Sequence, residues 1–126
     1  MIIKSFKASE QHQAAFYIAR VGQVGKPLRE PYTSNNCFMV FSDNPEHDFQ
    51  LVKSAYATKR FNSIAYGSCQ PFIRLRDVRN IIDQLSASDK HLEMLSQLER
   101  HIDTQEANLK KQRDLLLSLQ QSILAA

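Results

Sequence analysis

The sequence predicts an α+β protein: a small mixed α/β head followed by a long C-terminal coiled-coil helix. Three observations carry this expectation. Leu95, Ile102, Leu109, Leu116 and Ile123 fall seven apart, with Leu98 and Leu119 at the offset position, so a narrow apolar seam runs along the end of the chain. Cys37-Phe38-Met39-Val40-Phe41 is an unbroken apolar run of strand length. Before the seam, short apolar segments alternate with Gly, Pro and Asn breaks. With 126 residues, 43% hydrophobic and 23% charged, the chain has the balance of one folded domain plus an appendage. We place the head at residues 1–85 and the helical stalk at residues 86–126.

In order along the chain, Ile2 to Phe6 alternates and reads as a first strand. Ser9 is available to cap a helix reaching about Arg20, with Ala15, Phe16 and Ala19 on one face. Gly22, Gly25, Pro27 and Pro31 then interrupt regular structure, which makes Gly25 to Tyr32 an ordered surface loop. Lys26, Arg29 and Tyr32 are available there to a partner, or the loop is a plain connection held down by Leu28 and Tyr32. Cys37–Phe41 is expected as the central strand. Asn44 as cap and Pro45 at the first helical position begin a helix to about Lys59, with Phe49, Val52 and Tyr56 inward and Glu46 and Asp48 at its positive end. Ser63–Tyr66 and Phe72–Leu75 are expected as short strands around the Gly67-Ser68-Cys69-Gln70-Pro71 turn. A helix from near Arg76 buries Val78, Ile81, Ile82 and Leu85. Ser88 or Asp89 then caps the last helix. Gln105 and Gln112 occupy offset positions of its seam, where polar side chains set register or oligomeric state.

The chemistry of an enzyme is missing. His12, Cys37, His47, Cys69, His91 and His101 show no paired ligand spacing, so no metal is expected. Ser68 lies in no GxSxG elbow, and three glycines cannot build a phosphate-cradling loop. Asp43, Glu46 and Asp48 are explained by a helix start. No catalytic residue and no cofactor is expected. Two distant cysteines do not make a disulfide framework, and both are expected as thiols, Cys37 in a strand and Cys69 in the turn. With no membrane-length apolar run and no signal core at Met1-Ile2-Ile3-Lys4, the expected location is cytoplasmic, without membrane contact.

Charge is unevenly distributed. Residues 1–82 hold 11 Lys/Arg against 6 Asp/Glu, a net +5, and residues 83–126 hold 5 against 7, a net −2. Lys53, Lys59, Arg60, Arg74, Arg76 and Arg79 face only Asp77 among nearby acidic groups, a local field that attracts phosphate or an acidic protein surface.

Phe61 to Asn80, with Phe61, Gly67, Ser68, Gln70, Pro71, Asp77, Val78 and Asn80 in place, resembles the closing part of a target-recognition domain in the specificity subunit of type I restriction-modification systems. The last helix is similar to the spacer of that family, and the resemblance covers roughly Phe38 to Ile123. It departs after Leu85, where Ser86-Ala87-Ser88-Asp89 replaces a proline-rich segment, and in a front end much shorter than the family's. The Gly25–Pro31 run followed by Asn36-Cys37-Phe38 also resembles a small Bacteroidetes protein family of unknown function. The restriction resemblance implies a DNA-recognition-like module. Lys59, Arg60, Arg74, Arg76 and Arg79 would then meet phosphates, Gln70 would offer a polar contact, and Leu95, Leu98, Ile102, Leu109, Leu116, Leu119 and Ile123 would join two copies into a homodimer. The alternative is a protein-interaction or assembly module, an accessory or antagonist of a restriction system, without DNA binding. The expected partners are therefore itself, duplex DNA, or a restriction-modification subunit.

Overall fold

The fold is α+β. A computed structural model of the chain describes residues 1–7, 13–32 and 36–125. Four short strands, β1 (Ile2–Ser5), β2 (Phe16–Ala19), β3 (Pro27–Leu28) and β4 (Cys37–Phe41), form an antiparallel sheet in the order β1-β4-β2-β3. Helix α1 (Pro45–Ala57), a 3-10 turn (Arg60–Ile64), α2 (Leu75–Asp83) and α3 (Asp89–Ala125) follow. The chain divides into a unit spanning Met1–Leu92 and a second spanning Glu93–Ala126, so the first turn of α3 belongs to the head.

Register explains the core. Phe16 lies opposite Val40 and Ile18 opposite Phe38, while Ile3 pairs with Val40 from the other side. These side chains share one sheet face and pack with Val52 and Ala55 of α1, Phe61, Ile73, and Val78 and Ile82 of α2. Tyr17, Cys37 and Met39 point to the opposite face, where Phe6, Leu28, Tyr32 and Phe41 cover them. Both inner strands are thus buried on both faces. Burial pushes the Cys37 thiol above its ordinary value against a smaller opposing effect of the Tyr32 backbone, and Cys37 and Cys69 are both free.

Three expectations are corrected. The stretch Gly25 to Tyr32, expected as a loop, contains strand β3 at Pro27–Leu28, because Tyr17 and Ile18 offer it a ladder. The helix expected up to Arg20 is a strand over Phe16–Ala19, and its proposed Ser9 cap lies outside the described residues. The alanine-rich sequence favours a helix locally, but β2 gains a ladder on each side and burial of all four side chains. The strands expected over Ser63–Tyr66 and Phe72–Leu75 do not form: Ser63 and Ile64 close the 3-10 turn, and pairing around Gly67 reduces to one bridge between Tyr66 and Phe72. Leu75 already begins α2.

The helix starts follow the sequence closely. Asn44 precedes α1 and Pro45 is its first residue, although the Asn44 side chain makes no capping bond. Ser42 instead accepts from the Asn44 amide through its hydroxyl, 3.0 Å away, and donates to the Asp48 carboxylate. Ser88 accepts from the His91 amide at 3.2 Å and so caps α3. Helix α1 ends at Ala57, two residues before the expected end, and Lys59 takes a left-handed conformation with φ 61°.

Candidate functional site

Two surfaces carry the residues singled out by the sequence, one in each unit. In the head, the loop Gly67–Pro71 is pinned from both sides. Tyr66 and Phe72 exchange backbone hydrogen bonds of 2.8 Å each, the Gly22 amide donates to the Pro71 carbonyl at 2.9 Å, and the Ile73 amide donates to the Arg20 carbonyl at 3.0 Å. Gly67 has φ +95°, and a β-carbon there would lie 2.6 Å from the Gln70 carbonyl oxygen. The turn therefore requires glycine. It presents Gln70, exposed, on the wall of an open cleft with Val21, Gly22, Gln23, Tyr32 and Asn36. Lys59, also exposed, lines a neighbouring cleft of about 650 Å³ that shares Gly22 and Gln23 and includes Pro71.

The arginines divide by what they touch. Arg74, just before α2, holds its guanidinium 4.2 Å from the centre of the Tyr66 ring. Tyr66 stacks in turn on Phe72, with centroids 5.7 Å apart and planes inclined by 29°, and its hydroxyl donates to Asp77 at 3.4 Å. This places an exposed cation on an exposed aromatic ring. Arg60 and Arg76 are exposed at the start of the 3-10 turn and on α2. Arg79 is engaged differently: its Nε and Nη2 donate to the Ile3 carbonyl at 3.1 and 2.7 Å, tying α2 to the edge strand β1. Arg29, a candidate for a partner contact on sequence, makes a two-pronged ion pair with Glu46 at 3.0 and 3.2 Å and lies 3.6 Å from the centre of the Phe49 ring. Leu28 and Tyr32 pack into the second core cluster, so the Gly25–Tyr32 segment around β3 is held down.

The second surface is α3. Its 37 residues extend about 55 Å at the usual helical rise. All seven seam side chains, Leu95, Leu98, Ile102, Leu109, Leu116, Leu119 and Ile123, are exposed, from 40% for Leu95 to 71% for Ile123. Met94, Leu115, Leu117 and Leu124 are exposed as well, so the apolar surface is wider than the seam. These four occupy neither of the two seam positions, which is why the seam does not single them out.

The profile of a family of unknown function, DUF6943, matches residues 3–126. The chain belongs to this family. The DUF6943 match takes in the sheet, the Gly67 turn and α3 together, so both surfaces lie within the family's own extent. No curated protein and no solved structure matches the chain. Among the described residues of this DUF6943 protein, no group of three or more His, Cys, Asp or Glu is placed to hold a metal ion. No helix among them is long and apolar enough to cross a membrane.

The Tyr66–Phe72 stack beneath Arg74 was not legible in the sequence as a site. Its only signal is an aromatic residue on each side of a glycine turn, a pattern that hairpins produce for packing alone.

Proposed function

We propose that this protein is an interaction module whose α/β head is joined to a second copy through α3. The exposed heptad seam carries this reading. Each Leu or Ile contributes about 1.5–3 kcal/mol when fully buried, so seven in one stripe leave a large unrealised gain in a single chain. A stripe with this repeat is matched by another helix bearing the same repeat. Light scattering on the full chain tests the reading. The expected result is twice the 14.5 kDa chain mass for the wild type and the single mass for Ile102→Asp combined with Leu109→Asp. A wild type that remains monomeric at about 50 μM, a concentration at which a micromolar complex is largely formed, overturns it.

The Arg74–Tyr66 pair favours a second reading, in which the head binds duplex DNA. Exposed Lys59, Arg60, Arg74 and Arg76 would contact phosphates, with Gln70 beside them, and the resemblance of Phe61–Asn80 to restriction specificity domains supports the same idea. Arg79 is left out because its Nε and Nη2 already hold the Ile3 carbonyl, which ties its side chain to β1. Phosphate contacts supply affinity without sequence information. Replacing Arg74 and Arg76 by alanine should weaken binding on every duplex and reduce the salt slope by about 0.9 for each phosphate no longer neutralised. If the wild type is not retained on DNA at low salt, the basic face is left to an acidic protein surface, such as a restriction-modification subunit.

A further inference from the structure

We infer that α3 pairs with a second copy of itself in parallel and in register, an inference that rests on the self-association proposed above. The exposed stripe defines the heptad: Leu95, Ile102, Leu109, Leu116 and Ile123 stand at a positions, and Leu98, Gln105, Gln112 and Leu119 at d positions. Every a position of the stripe is thus aliphatic, and both interior polar residues are at d.

This arrangement separates the two orientations. In a parallel pair at zero offset, each layer faces its own copy, so Gln105 meets the partner's Gln105 and Gln112 meets the partner's Gln112. A primary amide both donates and accepts, and two of them facing across a seam can satisfy each other. In an antiparallel pair d positions face a positions at every offset. Each glutamine would then lie against leucine or isoleucine, with its amide desolvated and without a partner across the seam. At full antiparallel overlap Gln105 would face the partner's Leu109, and Gln112 the partner's Ile102. A parallel pair shifted by one heptad also fails, because Gln105 of one copy would meet the partner's Leu98.

The flanking positions point the same way. In the parallel pair His101 stands beside the partner's Glu106 and Asn108 beside the partner's Arg113, with no like charges opposed. Antiparallel overlap brings Glu99 to the partner's Arg113, a favourable contact, but sets Glu106 against the partner's Glu106 at the centre of the helix. Parallel pairing brings the N-terminal ends of both α3 helices together, so the two heads are attached at the same end of the coiled coil.

Disulfide trapping in the full chain tests the orientation. In a Cys69→Ser background, which removes the exposed thiol and keeps buried Cys37, Leu98→Cys should form a disulfide-linked dimer in a glutathione redox buffer. Leu119→Cys should do so too, at the other end of the seam. Helicity by circular dichroism and dimer mass by light scattering confirm that each reduced variant retains its assembly. A mixture of Leu98→Cys and Leu116→Cys chains should give only the two self-linked species. A Leu98–Leu116 cross-link as the main product overturns the parallel arrangement and leaves self-association standing. Dimers that form no seam cross-link at all place the interface elsewhere and overturn it as well. A monomeric wild type overturns both this inference and the reading on which it rests.

Discussion

Among the glycines, Gly25 is the one where an added β-carbon would meet its nearest neighbour most closely. Its φ of +84° lies in the left-handed region, and a β-carbon would sit 2.1 Å from Cδ2 and 2.8 Å from Cβ of Phe61. Phe61 cannot move aside freely, because it is 1% exposed and packed between the sheet and the helices. Strain and overpacking therefore add. Gly25→Ala should destabilise the head by about 2–4 kcal/mol, which thermal unfolding would register as a fall in Tm of about 10 °C or more. Lys59 shows the milder case: its φ of 61° is left-handed too, but it is exposed at the end of α1. A Gly25→Ala protein that melts with the wild type would mean that the β2–β3 connection repacks around Phe61 at no cost.

At the scale of elements, His47 joins the start of α1 to the start of α3. Its Nδ1 lies 3.1 Å from Asp48 Oδ1, and its Nε2 lies 3.3 Å from the Ala87 carbonyl and 3.2 Å from Asp89 Oδ1. In the imidazolium form both nitrogens donate. The Asp48 hydrogen bond raises the His47 pKa, with Ala87 and Asp89 adding to it, and this outweighs partial burial, which acts the other way. A folded value above the unfolded one means that the contribution is fully present below about pH 6.5 and is lost as pH rises through the folded pKa. The Tm of the wild type should accordingly decline between about pH 6 and pH 8 relative to a His47→Gln variant. Parallel pH profiles for the two proteins would show that protonation of His47 is not linked to stability.

At the scale of the whole molecule, in the pairing proposed for α3 the glutamines would set how many copies meet and how uniquely. Gln105 and Gln112 weaken a seam that would otherwise be aliphatic from Leu95 to Ile123. Replacing both by leucine should tighten association while admitting other registers and higher oligomers, because nothing then penalises a slipped pairing. Sedimentation velocity should show broadened or additional species for the double variant. A single boundary of unchanged mass and unchanged dissociation would place both residues outside the interface. The uneven charge, +5 over residues 1–82 and −2 over 83–126, leaves the excess positive field on the N-terminal part of each chain. An assembly that brings two such parts together doubles that field for any anionic partner.

By itself the sequence determined the features that depend on near neighbours. The Asn44-Pro45 start of α1, the Ser88 cap, the glycine demanded at position 67 and the seam of α3 all follow from residues within one or two turns of each other. Tertiary structure decided the rest. Phe16–Ala19 is a strand because two neighbouring strands and two apolar layers enclose it, and a segment buried on both faces shows no alternation to read. The basic cluster was legible as charge, yet only the fold gave Arg79 to the Ile3 carbonyl, 76 positions away, and laid Arg74 on Tyr66. Local pattern sets what a segment can become and which charges it carries. Contacts between segments far apart in the chain set which side chains bond within the molecule and which remain at its surface, because those contacts exist only once the sheet and helices have packed.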